Sequence, residues 1–329
     1  MPAPLGISAG IVADVLADSS KRRPGFEGKI PSARRRRMRA GQAAQYTRCP
    51  LCGPSRSPET SPEDWGTLAF SLQPLAFTLG LMMISRKPWG IEAVARLCLA
   101  IIATFCFGML LAGLLGKLHL PLPEAQIEFL QMMISLAFFQ VSALVWITVF
   151  LRQYGIGWKE AFGLGLSEPM TAAAFGILAG ALFLPAAWVL QYLSELLMEL
   201  AHLTPEPQAV VQALQDPSLS LGSKLLFGAA AIVLAPLAEE AVFRGILYPA
   251  IKQQGYPRLA LWGTSGVFAV MHANEATLLP LLIFALVLVY LYEAFGNLLA
   301  PIVAHSLFNT ANFLILIFQD KIDHFLHPS

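Results

Sequence analysis

Three polar pairs spaced four residues apart interrupt otherwise apolar segments in the second half of the chain: Glu240/Arg244, Phe268/His272 and His305/Asn309. The first pair carries a second carboxylate, in the run Ala238-Glu239-Glu240-Ala241-Val242-Phe243-Arg244. Residues four apart share one face of a helix. An ionisable group inside a membrane helix costs several kcal/mol unless it meets a partner or a wet cavity. Two carboxylates, two imidazoles, a guanidinium and a carboxamide on three helices therefore read as one assembled site.

The spacing suggests a division of labour. Glu240 and Arg244 form an i,i+4 pair in the favourable order, so Arg244 can hold Glu240 in place. Glu239 points about 100° away around the helix and is left to act as a base on water. His272 could share that water, and His305 with Asn309 could donate hydrogen bonds to a developing oxyanion. A base, a water holder and oxyanion donors are the parts that peptide hydrolysis needs.

The elements that must carry these groups are membrane helices. Of the 329 residues 56% are hydrophobic and 13% charged, whereas soluble domains carry roughly 25% charged residues. From Trp65 onward, apolar stretches recur at about the 20 residues that cross a bilayer. They read as spans over 65–85, 93–116, 127–151, 171–194, 224–248, 258–273, 277–295 and 298–318. The fold class is thus all-α, a polytopic membrane bundle of about eight helices over 64–320, with the motifs within 224–318 and a short tail over 321–329. Pro236 is expected to kink the fifth helix just before its carboxylates. The long connector 195–223, with Pro205, Pro207 and Pro217, is expected at the interface. Counted by rise per residue from the helix ends, Glu239 lies ~14 Å and His305 ~10 Å below the same face.

Residues 1–63 form a separate region. They hold 11 Lys/Arg against 5 Asp/Glu, including Arg34 to Arg37, while residues 64–329 hold 11 against 16. With no apolar run to build a core, this Pro/Gly/Ser/Arg-rich tail is expected to be disordered, and no signal peptide is legible in it. Its basic charge suits anionic lipid headgroups beside a membrane domain; nucleic acid is not expected as a partner. Cys49 and Cys52 make half of a zinc site with no second pair nearby. Loop charges put the connections after the first, third and fifth helices in the cytoplasm, which leaves the Arg-rich tail outside, against the same rule.

The three motifs resemble the CAAX prenyl endopeptidase and bacteriocin-processing (Abi) group of intramembrane proteases. That family's pattern is Glu-Glu-x-x-x-Arg, then Phe-x-x-x-His, then His-x-x-x-Asn on membrane helices, matched here by Glu239 to Arg244, Phe268 to His272 and His305 to Asn309. The resemblance covers roughly 220–320. It implies endoproteolysis within the membrane: Glu239 activating water with His272, His305 and Asn309 stabilising the oxyanion, and Glu240 with Arg244 ordering the site. The substrate implied is a peptide or protein that can itself be membrane-anchored, and the location is an integral multi-pass one, the inner membrane in a bacterium. No cofactor is expected. Zinc stays open, with Glu239, His272 and His305 as its ligands, although no His-Glu-x-x-His motif occurs.

Other chemistries compete. Gly263-Thr264-Ser265-Gly266 matches a rhomboid-type serine motif, but Ser265 and His272 are seven apart on one helix, roughly 10 Å, too far for proton transfer. A transporter or proton-coupled carrier would also place Glu and His at mid-membrane. A third alternative is a non-enzymatic immunity or scaffold protein that keeps the fold.

Overall fold

The computed structural model describes residue 84 and residues 86–326, apart from 119, 166–167 and 205–208. The basic tail 1–63 with Cys49 and Cys52, and the first expected span 65–85 except Ile84, lie outside the described residues. Helices account for most of the rest: α1 (Ile91–Leu115), α2 (Glu124–Gln153), the single turn α3 (Trp158–Ala161), α4 (Pro169–Leu200), α5 (Ala209–Gln215), α6 (Leu221–Gln253), α7 (Pro257–Val270), α8 (Glu275–Phe295) and α9 (Leu299–Leu326). No strand occurs among the described residues.

Six of these helices, α1, α2, α4, α6, α8 and α9, are long and apolar enough to cross a membrane. The chain is an all-α, multi-pass integral membrane protein. The expected count of about eight is corrected at one position within the described residues. The stretch expected as the span 258–273 is α7, whose 14 residues reach only ~21 Å against a hydrocarbon core of ~30 Å. Its end is set by backbone. Ala273 takes a left-handed φ of 44°, and the Asn274 side chain then accepts from the Thr277 N–H to cap α8. The apolar run continues through this turn, so hydropathy alone merges helix and turn. The connector 195–223 holds structure of its own. It contains α5, whose Val210, Val211 and Leu214 pack in one apolar cluster with Phe129, Leu136, Phe227 and Phe313.

Helix α6 carries the carboxylates, and its geometry follows from two prolines. Residues 230–234 and 241–247 are π-helical, each followed by an α-helical stretch with proline at its second position, Pro236 and Pro249. A proline ring clashes with the carbonyl four residues back and offers no N–H. Widening the preceding turn relieves that clash. The Ala235 N–H reaches back five residues to Ala230, and the Tyr248 N–H to Phe243. At Pro236, where a kink is expected, the helix makes a π turn, and with the second one before Pro249 it brackets Glu239 and Glu240.

Helices α4 and α9 meet through small residues. A Cβ on Gly176 would meet the Ala300 carbonyl at 2.5 Å, and one on Gly180 would meet that of Ala304 at 3.0 Å. Lipid gives little hydrophobic drive for helix association, so close backbone approach at small-xxx-small positions supplies the contact. Ala304 immediately precedes His305, so this contact fixes the height of a site residue. Gly180→Leu is expected to destabilise the protein by about 1–3 kcal/mol through overpacking, read as a lower Tm in detergent, while Leu182→Ala on the exposed face of α4 leaves Tm unchanged.

Candidate active site

The three motifs come together. Glu239, Glu240, Arg244, His272, His305 and Asn309 are all buried, from α6, the turn after α7, and α9. The Arg244 guanidinium donates to Glu240 Oε1 at 2.9 Å and to the Ala285 carbonyl of α8 at 3.2 Å. Its planar face lies over the Phe268 ring, 4.5 Å from the centroid. With two hydrogen bonds and a π face, this fully buried cation recovers much of what desolvation costs. The pair predicted from i,i+4 spacing therefore forms, although the turn between its members is π-helical.

His305 links α9 to both carboxylates. Its Nδ1 lies 2.9 Å from Glu240 Oε1 and its Nε2 3.9 Å from Glu239 Oε2. A carboxylate only accepts, so Nδ1–H donates to Glu240 and Nε2 is turned toward Glu239. Glu240 Oε1 takes two donors while its Oε2 has no hydrogen-bond partner. The result is a guanidinium, an imidazole and a carboxylate locked together, with the second carboxylate held alongside.

His272 is oriented by its own helix end. Its Nδ1 lies 2.7 Å from the Phe268 carbonyl. That carbonyl can only accept, so the proton sits on Nδ1 and Nε2 carries the lone pair in the neutral ring. The Phe268 ring explains the aromatic residue of the second motif. It packs on His272 (centroids 4.8 Å), edge-to-face on His305 (5.7 Å), and against Phe243 (5.4 Å), besides underlying Arg244.

Asn309 is engaged in a way the spacing did not suggest. Its amide nitrogen donates to the Ala231 carbonyl at 2.8 Å. In the π register that carbonyl would be served by the N–H of residue 236, which is proline and has none. Asn309 thus satisfies the backbone acceptor that Pro236 orphans, tying α9 to α6. The same nitrogen carries a second amide hydrogen. Ser265 is buried without a hydrogen-bond partner, so no serine–histidine pair forms.

The sequence reading passed over the far end of this assembly. Tyr248 and Lys252 of α6 both donate to Glu293 of α8. A lone acid in the apolar run 277–295, Glu293, was the available signal. Among the described residues no group of three His, Cys, Asp or Glu side chains is arranged to hold a metal ion.

The match to known families is confined to this half. Residues 221–311, from the first residue of α6 to just past Asn309, match the family model described as type II CAAX prenyl endopeptidase, Rce1-like. Across this stretch the chain is similar to the CAAX prenyl endopeptidase family. The comparisons found no match among curated proteins or solved structures. The similarity supports a membrane-embedded protease core, in a lipid environment and with peptides as the substrate class.

Two variants separate support from chemistry. Glu240→Ala leaves Arg244 buried without its counter-ion and is expected to cost about 3–5 kcal/mol. Asn309→Ala re-exposes the orphan carbonyl and is expected to cost about 1–3 kcal/mol. Both are read as loss of Tm in detergent, with the larger drop for Glu240.

Proposed function

We propose that the chain is an intramembrane endopeptidase in which Glu239 activates the attacking water. The observation that carries this reading is the pairing of Glu239 Oε2 with His305 Nε2 across 3.9 Å. That gap is too long for a direct hydrogen bond and short enough for one small molecule to touch both groups. Glu240 and Arg244 neutralise each other beside it. Glu239 is therefore the carboxylate placed to exchange a proton with a reactant.

In the proposed cycle Glu239 takes a proton from water, with the His272 Nε2 lone pair accepting the water's other hydrogen bond. The hydroxide oxygen adds to the carbonyl carbon of the scissile peptide. The oxyanion that forms accepts from the second amide hydrogen of Asn309 and from His305 Nε2, to which Glu239 passes the proton taken from water. The C–N bond then breaks as that proton returns through Glu239 to the leaving nitrogen, releasing a carboxylic acid and an amine, and the acid's proton passes to the amine to leave a carboxylate and an ammonium. Glu240 and Arg244 hold the geometry without exchanging protons. No cofactor enters, and metal content of the purified protein tests that directly.

Glu239→Gln and His272→Ala are each expected to abolish cleavage of a peptide substrate by purified protein in detergent while Tm stays close to that of the wild type. A detergent solution holds no ion gradient, so turnover there separates a protease from a carrier. Wild-type rates in Glu239→Gln would overturn the assignment. Removal of residues 1–60 is expected to leave the rate unchanged.

A further inference from the structure

One buried polar side chain takes no part in this chemistry. Gln140 stands midway along α2, fully buried, and neither its amide nitrogen nor its amide oxygen has a hydrogen-bond partner. Buried carboxamides are nearly always paired, and inside a membrane no bulk water can serve instead. Other polar residues of α2 show how cheaply such a need is met. Ser135, Ser142 and Thr148 each donate to a backbone carbonyl three or four residues back. A leucine at this position would fill the same volume with no unmet demand.

The register of α2 against α6 says what Gln140 faces. Leu136, one turn earlier, belongs to the apolar cluster that holds Phe227 and Ala231. Ala143 and Ile147, one and two turns later, belong to the cluster that holds Ala238 and Ala241. Helix α2 packs directly on residues 235–247 of α6. Gln140 therefore lies level with the stretch of α6 between Ala231 and Ala238, the turn that leads into Glu239.

We infer that Gln140 binds the backbone of the peptide substrate beside the scissile bond, its amide N–H donating to a substrate carbonyl and its amide oxygen accepting from a substrate N–H. A carboxamide offers the donor and acceptor that complement a peptide group, and it does so without charge. Such a group reads main chain and is indifferent to side-chain identity. The inference rests on the endopeptidase reading above.

The test uses the full chain in detergent and a fluorogenic peptide ending in a farnesylated Cys-aliphatic-aliphatic-X sequence, with the same peptide unprenylated as a second probe. Gln140→Leu and Gln140→Met remove both hydrogen-bonding atoms and keep the volume. KM is expected to rise about 10-fold or more from loss of ground-state binding, with kcat within about twofold of wild type. Tm is expected to be equal or higher, because an unmet polar group has been removed. An unchanged KM, a fall in kcat at constant KM, or a lower Tm in both variants would each overturn the inference, the last by making Gln140 structural. Glu239→Gln in the same assay separates the two readings. If that variant is inactive while both Gln140 variants keep the wild-type KM, only the present inference fails. Wild-type protein that cleaves neither probe sinks both.

Discussion

Charges can share a lipid-buried volume only when they meet one another, and the bundle is organised around that requirement. Arg244, Glu240 and His305 are each within 2.9 Å of a partner of this set. Through them α6 and α9 are joined to each other, and Arg244 adds α8 through the Ala285 carbonyl. Removing any member strands the others in a medium that cannot solvate them. The network therefore defines both where these helices dock and where reactive groups can exist at all. Glu239 sits beside it, 3.9 Å from His305 Nε2.

Proline governs how that backbone is shaped. Pro236 and Pro249 each end a π turn, and each turn inserts one extra residue relative to a plain α-helix. The acidic pair is thereby set between two places where helix register shifts. The carbonyl stranded by the first shift is served from α9 by Asn309, so a defect in one helix becomes the docking point of another. The small-residue contact of Gly176 and Gly180 with α9 works to the same end from the opposite side. Close backbone packing and a side-chain hydrogen bond both fix the height at which His305 meets the carboxylates.

Much of this was legible from residues alone, for identifiable reasons. The long spans follow from hydropathy, and their observed bounds lie within a few residues of the expected ones, apart from the C-terminal ends of α4, α6 and α9. The Glu240–Arg244 pair follows from helical spacing, and convergence of three polar pairs follows from the cost of leaving any of them in lipid. The early end of α7 was not legible, because it depends on a left-handed Ala273 that no glycine or proline announces. The π turns were missed because proline signals disruption without specifying its form. Gln140 was passed over as one polar residue in an apolar run, since only burial reveals its unmet bonds. The Gly176-x-x-x-Gly180 spacing was readable as a packing face but gained meaning only once Ala304 was seen against it.

The position of Phe268 has a consequence for how protons move. Its ring lies against both imidazoles and under the guanidinium, and a phenyl group has no labile hydrogen and no strong acceptor. Within the cluster it keeps polarisable contact and offers no path for a proton of its own. In the proposed cycle protons pass instead between Glu239 and His305. A hydroxyl on that ring would open a second conduit, so the choice of phenylalanine over tyrosine is a choice about leakage as much as about packing.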